Sequence, residues 1–436
     1  MNETPPQTGR IRLADVHWPL FLTFFLSGTL ANFAPLLEES RLVELTAKAL
    51  SLIPIFLWAL AMRPKRPARA YSVLMPFGTI FALAMGSWAA NRGGAADAMR
   101  WVVLLAFYAA AARIAWEPDG HSRVIVSVYL GLAAAGGAFS LFALRYSTAV
   151  TDISLRRAIT GLHPNAQGLI SAGTANLALM LFFVMREKKA RVGLALVFLC
   201  AVAAALVTGS RTALGTMGLT LACVAVLAFG AMQSGKRYLA SALLLPLVLA
   251  GALLTAEFVL PRIASHSELL VRMDSLHTLA GRRFTWEFVL DNAFVRPIFP
   301  IGLGPDLGRE WLIAMTGLHA HNGYLQLVTD LGPFVSIPLA WLLCFPAVKA
   351  LRGLRRAPAH VIMHSGVFLF TIVHSMAEAN LDRLANTMNM AFIFSMIRLW
   401  QLRTAPGRPP RAQAAPAQDG PGIPYWPGAP DGRAPE

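Results

Sequence analysis

Stretches of about 20 apolar residues recur along this chain, from Val16 to the region of Trp400. A helix of that length rises about 30 Å, which matches the hydrocarbon thickness of a bilayer. Only 14% of the 436 residues are charged, and the mean hydropathy is +0.54. A soluble domain carries about a quarter of charged residues. The sequence therefore predicts an all-α integral membrane protein.

The apolar stretches are separated by polar loops and predict twelve spanning helices. These run over 16–34, 42–62, 71–90, 98–115, 122–144, 165–185, 192–208, 212–231, 238–260, 323–348, 360–378 and 384–402. A large loop, 261–322, lies between the ninth and tenth spans. Residues 1–403 are thus predicted to form one polytopic transmembrane domain. Residues 404–436 are rich in Pro, Gly and Ala and are predicted to be a disordered tail.

The positively charged loops define the orientation. The basic segments 63–69, 186–191, 236–237 and 349–356 all fall on the side of the N-terminus when the chain has twelve spans. Lys and Arg concentrate in cytoplasmic loops, so both termini are predicted to be cytoplasmic and loop 261–322 to face the opposite side. This rule accounts for much of the net charge of +15 without a nucleic-acid partner.

Two other sequence features limit the possible classes. Residues 1–17 are polar, and the first apolar run leads into further spans, so we expect no cleavable signal peptide. The three cysteines, Cys200, Cys223 and Cys344, lie in apolar runs without metal or disulfide spacing. They are typical of small residues packed in a core or facing lipid.

A polar break separates the seventh and eighth spans. It contains Ser210 and Arg211, and Arg211 falls at the predicted membrane boundary. A charge there is costly and usually has a partner or a function. An interfacial arginine whose head reaches the lipid headgroups is the alternative interpretation.

The long loop carries Gly281, Arg282 and Arg283 near its middle. Adjacent guanidinium groups offer planar forks of donors that suit phosphate oxygens. A solvated pair, or salt bridges to Glu287 or Asp291, would explain the same residues. A turn cluster follows at 299–305, where backbone amides could approach a ligand.

His319, His321 and Asn322 lie where the loop meets the tenth span. A helix start favours anions, and an imidazole there can take a proton from a hydroxyl. Two His at this spacing could also indicate a metal, but no third ligand is evident nearby, so no metal site is predicted. His374 and Glu378, near the end of the eleventh span, could shape an acceptor pocket or relay a proton. A polar helix end facing water is the alternative.

These groups all fall on the non-cytoplasmic side. Cationic forks for phosphate and one base for an alcohol suit glycosyl transfer from a lipid-linked diphosphate sugar. No Asp-x-Asp pair in the non-cytoplasmic loops is available to hold a divalent ion. Arginine could stabilise the leaving diphosphate in place of a divalent ion.

From about residue 164 to residue 397 the sequence resembles the O-antigen ligase and polymerase superfamily of bacterial membrane glycosyltransferases. The resemblance rests on Arg211 after Gly209 and Ser210, on Arg282 and Arg283 before Trp286, on Pro297 with Gly302 and Gly304, and above all on His321 and Asn322. In the ligase motif, nine residues after the His-Asn pair lead to a glycine, here Gly332. A second motif glycine is replaced by Val335, within the predicted helix.

The resemblance implies a C-type membrane glycosyltransferase fold in the bacterial inner membrane, with the active site facing the periplasm. Family ligases transfer O-antigen from undecaprenyl diphosphate to a lipid A-core sugar, without ATP, metal or another cofactor. The resemblance also implies that His321 is the base, and that the diphosphate is bound by Arg211 and by one of Arg282 and Arg283. We accordingly predict His321, Arg211 and Arg283 as catalytic. Predicted substrate-binding residues are Arg282, Asn322, His319, Gly281, Ser210, His374 and Glu378.

Three alternatives stay open. An O-antigen polymerase and a protein O-oligosaccharyltransferase share the donor and differ in the acceptor. The protein-glycosylating members usually carry a larger soluble C-terminal domain, whereas a short cytoplasmic tail is predicted here. A transporter or flippase of a lipid-linked glycan is the rival from another class, although no internal repeat is evident. The predicted partners are donor, acceptor and membrane lipids.

Overall fold

A computed structural model describes most of the predicted membrane domain. The described residues are 11–36, 41–62, 71–115, 123–149, 157–160, 162–231, 282–295, 305–353, 358–378 and 386–402. The predicted ninth span, Gly281, the turn glycines Gly302 and Gly304, and the tail 404–436 lie outside them.

Helices make up most of the described residues, and we number them in chain order. They are α1 (Trp18–Phe33), α2 (Arg41–Ala61), α3 (Leu74–Ala90), α4 (Ala95–Ala115), α5 (Arg123–Tyr146), α6 (Pro164–Val184), α7 (Lys188–Thr208), α8 (Arg211–Ala231), α9 (Arg282–Val295), α10 (Pro305–Thr316), α11 (Gly323–Leu331), α12 (Ser336–Gly353), α13 (Pro358–Ser375) and α14 (Thr387–Gln401). A short antiparallel pair, β1 (Ser147–Ala149) and β2 (Arg157–Ile159), lies between α5 and α6.

Among the described residues, six segments are long and apolar enough to cross a membrane. They are Trp18–Leu36, Ala95–Ala115, Arg123–Tyr146, Pro164–Val184, Lys188–Thr208 and Pro333–Arg352. Shorter apolar helices occupy Thr46–Ala61, Leu74–Ala90, Arg211–Val226 and His360–Ser375. The fold is therefore that of an all-α, multi-pass membrane protein. The count of twelve spans stays a prediction.

The predicted tenth span, 323–348, is not one continuous helix. Helix α11 ends at Leu331, and Gly332 follows with a φ of +83° that favours glycine. A 3₁₀ turn, Pro333–Val335, then leads into α12. Val335 is buried in that turn and does not lie within a helix as the sequence predicted. The apolar pattern is continuous through this break, which is why it predicted a single span.

The bundle packs around its last helix. Every residue of α14 from Thr387 to Trp400 is buried, so this helix is enclosed by its neighbours. Small residues allow other helices to approach closely. A Cβ added to Gly131 of α5 would lie 2.5 Å from the backbone carbonyl oxygen of Phe21 in α1. Only glycine permits that approach.

Hydrogen bonds between helix ends define two ends of the bundle. At one end, Asn32 near the end of α1 accepts from the amide of Thr387 at the start of α14, at 3.1 Å. Ser87 near the end of α3 donates to the carbonyl of Asp330 in α11, at 2.7 Å. We call this the site end, because the predicted site residues described below lie there.

The basic end is opposite, and four cations there bind carbonyls at the ends of helices. Arg113 donates to Met62, Arg191 to Met185, Lys349 to Leu402 and Arg398 to Ala115, over 2.6–2.8 Å. The last carbonyls of a helix have no partner within the helix, and a cation near them is favourable. Two of these cations, Arg191 and Lys349, belong to the basic segments that predicted the orientation, and they also hold helices together.

Part of the long loop is helical. Helices α9 and α10 bury Val289 and Leu312 together with Ala320 in a small apolar cluster, against which Leu325 and Val328 of α11 pack. The loop therefore packs its own helices onto the start of α11. This cluster positions the segment that carries His321.

Candidate functional site

Asn322 fixes the start of α11. Its side-chain oxygen accepts from the amides of Tyr324 and Leu325, at 3.0 and 3.1 Å, as an N-cap. Its side-chain nitrogen donates to the carbonyl of Met376, just beyond α13, at 3.0 Å. One side chain thereby caps one helix and ties it to the end of another.

His321 precedes this cap in an uncommon backbone conformation. Its φ is +46°, a left-handed value that is rare for residues other than glycine. The His321 amide donates to Nδ1 of His319 at 3.2 Å, and the two rings stack with centroids 3.5 Å apart. The backbone turn and the ring stack together hold the His321 imidazole in place.

Glu378 lies beyond α13 and joins three elements of the site. Its Oε2 is 3.6 Å from Nδ1 of His321, the distance of an ion pair rather than of a hydrogen bond. Its Oε1 accepts from the side-chain amide of Asn165 at 2.6 Å and lies 3.5 Å from Nη2 of Arg282. The carboxylate is therefore shared among residues from α6, α9 and the turn before α11.

Burial and neighbouring charges shift the pKa of Glu378 in opposite directions. Burial raises the pKa of its carboxyl, whereas the neighbouring His321, Arg282 and His374 lower it. The effect of these neighbours prevails, and the pKa of Glu378 lies below its ordinary value. Glu378 is therefore an anion at neutral pH although its side chain is only 10% exposed.

The two adjacent arginines have different surroundings. Arg282 opens α9, and its Nη1 donates to the carbonyl of Ala377 at 2.9 Å, beside Glu378. Arg283 is 75% exposed and pairs with Glu287 on the same helix, at 2.8 Å. The hydrogen bond and charge of Glu287 raise the pKa of Arg283. Arg282 belongs to the cluster around Glu378, whereas Arg283 forms the local salt bridge that the sequence allowed as an alternative.

Trp286 fixes α9 against the segment before His321. Its indole Nε1 donates to the carbonyl of Ala320 at 2.7 Å, and Thr285 shares a hydroxyl contact of 3.2 Å with Thr316 at the end of α10. Arg282 lies one turn from Trp286. The same helix therefore positions Arg282 and supports His321.

Ser210 and Arg211 lie at the same end of the bundle. Gly209, with a φ of +57°, ends α7, and Arg211 opens α8 as an exposed residue. Ser210 is buried, and its side chain lies close to Gly168 of α6. Gly168 is one turn from Asn165, which contacts Glu378. The predicted polar break thus lies beside the helix start that reaches the carboxylate.

His374 is buried in the last turn of α13, and its ring stacks with that of Phe370 at 6.0 Å between centroids. The backbone amide of Glu378 donates to the His374 carbonyl at 3.0 Å. His374 thus lies one turn before Glu378 in the chain, and its charge contributes to lowering the pKa of the Glu378 carboxyl. Of the predicted site residues, Gly281 alone lies outside the described part of the chain.

Sequence reasoning missed Asn165. It lies at the start of α6, after His163 and Pro164, where a polar residue enters an apolar helix. Like Asn322, it is an asparagine close to a histidine at the start of a helix, and that similarity was the available signal. Within the described ranges, no three His, Cys, Asp or Glu side chains form a group that could hold a metal ion.

The fold and the site define a multi-pass helical membrane protein with a cluster of imidazole, guanidinium and carboxylate groups at one end of its bundle. Residues 195–340 match the family model described as O-antigen ligase, and this similarity supports a member of the O-antigen ligase and polymerase superfamily. The match includes Arg211, Arg282 and His321 but neither Asn165 nor Glu378. No curated protein matches the sequence.

Proposed function

We propose that the chain is a lipopolysaccharide O-antigen ligase. It would transfer a glycan from undecaprenyl diphosphate to a sugar hydroxyl of lipid A-core. The observation that carries the proposal is the approach of His321 and Arg282 to one carboxylate, that of Glu378. A base and a phosphate-binding cation thereby lie within one cluster. The family match over residues 195–340 supports this class of reaction.

In the proposed reaction His321 takes the proton of the acceptor hydroxyl. The hydroxyl oxygen attacks the anomeric carbon of the donor glycan as the bond from that carbon to the phosphate oxygen breaks. Undecaprenyl diphosphate leaves with the bonding electrons. Nδ1 of His321 faces Glu378, so Nε2 is the nitrogen proposed to meet the acceptor. The carboxylate orients the ring and stabilises the imidazolium that forms.

Arg282 is the proposed ligand of the leaving diphosphate. A guanidinium has five N–H groups, and two of its nitrogens contact Ala377 and Glu378. The remaining donors can bind phosphate oxygens, where negative charge develops as the bond breaks. Arg211, exposed at the start of α8, is proposed as a second ligand of the donor. Because the glycosyl diphosphate is itself activated, the proposal requires no nucleotide.

The site end is proposed to face the periplasm of the bacterial inner membrane. Four basic residues lie at the opposite end, at the start of α7 and the end of α12: Lys188, Arg191, Lys349 and Arg352. Arg191 contacts the end of α6, and Lys349 contacts the end of α14. By the positive-inside rule that end is cytoplasmic. O-antigen donors and lipid A-core would then reach His321 from the outer leaflet.

Reconstitution tests the proposal. Purified protein, an undecaprenyl-diphosphate-linked glycan and lipid A-core, with chelator present, should yield the conjugate. His321→Ala should lower the rate by roughly 10²–10⁴-fold, the usual contribution of a general base. His360→Ala, a matched histidine at the basic-end start of α13, is the control and should retain activity.

Each other outcome has a defined meaning. Unchanged conjugation by His321→Ala contradicts the role of the base. Growth of the glycan on the donor lipid, with no lipid A-core conjugate, indicates a polymerase. Transfer to a protein indicates an oligosaccharyltransferase. Movement of the donor across vesicles without any glycosidic product indicates a transporter.

A further inference from the structure

Asn165 makes the shortest contact to the Glu378 carboxylate among the groups described above. Its Nδ2 donates to Oε1 at 2.6 Å, compared with 3.5 Å from Arg282 to the same oxygen. Hydrogen bonds to an ionised acceptor are shorter and stronger than neutral ones. Asn165 is therefore a principal anchor of the carboxylate.

The helix start that carries Asn165 is firmly set. His163 caps α6 by accepting from the Asn165 amide at 3.2 Å, and Pro164 occupies the first helical position. Proline fixes its own φ near the helical value and suits that position. The partial positive charge of the helix start also favours a nearby carboxylate. The side-chain amide therefore reaches Glu378 from an ordered backbone.

The contacts divide the two oxygens of the carboxylate between different partners. Oε1 receives Asn165 and Arg282, whereas Oε2 faces His321. The bond from Asn165 thus restricts rotation of the carboxylate and keeps Oε2 directed at the imidazole. Loss of that bond would let the Glu378 carboxylate rotate, while its negative charge would remain.

Asn165 differs from Arg282 in a way that matters during turnover. In the proposed function Arg282 also binds the donor diphosphate through its remaining donors, so its guanidinium interacts with two anions. The amide of Asn165 is neutral, and the proposed reaction assigns it no role in binding the donor. It can hold Glu378 in place whether or not the donor is bound.

We propose that Asn165 is a positioning residue that acts on catalysis through Glu378, by holding the carboxylate in the orientation that directs His321 at the acceptor. This inference rests on the proposed function. It adds a residue outside the matched family segment to the reaction. It also links α6, in the membrane bundle, to the base carried by the long loop.

A double-mutant cycle tests the inference. Asn165→Ala should lower kcat by roughly 10–100-fold, the effect of losing a hydrogen bond to a charged group, with a smaller change in the donor KM. Glu378→Gln should lower kcat at least as much. If Asn165 acts through Glu378, the double variant is no slower than Glu378→Gln alone. Additive losses would overturn the proposal.

Asn176→Ala is the matched control for structure. Asn176 lies on the same helix, and its Nδ2 donates to the carbonyl of Gly366 in α13 at 3.1 Å, away from Glu378. This variant also removes an asparagine bond between α6 and α13. It should lower the thermal stability in detergent about as much as Asn165→Ala but retain kcat. Equal kcat losses in the two variants would show that Asn165 is only structural.

Asn165→Asp distinguishes the effect of the N–H hydrogen-bond donor from the effect of side-chain shape. Aspartate has nearly the same size but cannot, when ionised, donate to Glu378. The variant should be at least as slow as Asn165→Ala. Wild-type-like activity in Asn165→Asp would contradict the inference. If the wild-type protein forms no lipid A-core conjugate, the proposed function fails instead, and the two failures are thereby distinguished.

Discussion

The guanidinium of Arg282 lies 3.5 Å from the carboxylate of Glu378, joining the first turn of α9 to the end of α13. The 2.9 Å bond to the carbonyl of Ala377 strengthens this junction. Both groups are largely shielded from water, with side chains 21% and 10% exposed. The long loop is thus fastened to the bundle at the site itself.

The two adjacent arginines should differ in their effect on transfer. Arg282→Ala should lower the rate by roughly 100-fold, because it removes a donor to the leaving group. Arg283→Ala should lower the rate by at most about threefold, because an exposed salt bridge contributes little. Initial rates of conjugate formation measure both. A larger loss of rate in Arg283→Ala than in Arg282→Ala would favour Arg283 as the catalytic arginine, as the sequence predicted.

The contribution of Glu378 to stability should depend on pH. Its pKa in the folded protein lies below the ordinary value of 4.5, so its stabilising effect is complete above pH 4.5. The effect is lost as the pH falls through the lowered folded pKa. Glu378→Gln should therefore melt below the wild type at neutral pH, by roughly 3 °C for a loss of 1 kcal/mol.

Thermal unfolding in detergent from pH 7.5 downwards measures this difference. The gap in Tm between wild type and Glu378→Gln should stay constant to about pH 5 and narrow below pH 4.5, because the unfolded wild-type chain then binds a proton at Glu378 before the folded protein does. A gap that widens towards acid pH would contradict the lowered pKa.

Asn322 should contribute to stability and activity through separate atoms. Asn322→Ser keeps an oxygen that can cap α11 but loses the bond to Met376, whereas Asn322→Ala loses both. The alanine variant should be less stable than the serine variant by about 1 kcal/mol, the usual worth of an N-cap. Denaturation curves test this difference. Both variants should transfer glycan more slowly, because the adjacent His321 loses its tether to α13.

The break at Gly332 should resist substitution. Gly332→Ala should destabilise the protein by roughly 1–3 kcal/mol, because its φ of +83° strains any residue with a Cβ. Gly193→Ala in α7 is the control, since a Cβ there meets nothing within 4 Å. That change should be neutral or stabilising, by up to about 1 kcal/mol. Equal stabilities of the two variants would argue for a straight tenth span.

Cysteine labelling tests the orientation. In a background lacking Cys200, Cys223 and Cys344, Gly94→Cys at the site end should react with a membrane-impermeant maleimide in intact cells with a permeabilised outer membrane. Lys189→Cys at the basic end should react only after lysis. Both positions are exposed. The reverse pattern would place the site in the cytoplasm.

Much of the helical arrangement could be predicted from sequence, because apolar length and basic loops are local signals. The polar breaks before Arg211 and His321 were also visible as interruptions of apolar runs. The turn at Gly332 was hidden, since its neighbours are apolar on both sides. An apolar pattern reports burial, not backbone direction.

The roles of neighbouring residues could not be derived from spacing. Arg282 and Arg283 are equivalent in the sequence, and only the packing of α9 directs one towards Glu378 and the other towards Glu287. Asn165 and Glu378 are 213 positions apart. Their contact exists because α6 begins where α13 ends, a tertiary property that a single sequence does not encode locally.

The cation–carbonyl bonds at the basic end limit which substitutions the protein tolerates. They are made by Arg113, Arg191, Lys349 and Arg398. Two of them, Arg191 and Lys349, also belong to the basic segments from which the orientation is predicted. A substitution that moved positive charge to reverse the topology would at the same time unfasten the bundle. At Arg191 and Lys349 the predicted signal for insertion and the packing of the bundle therefore depend on the same side chains, so a change to one would disturb the other.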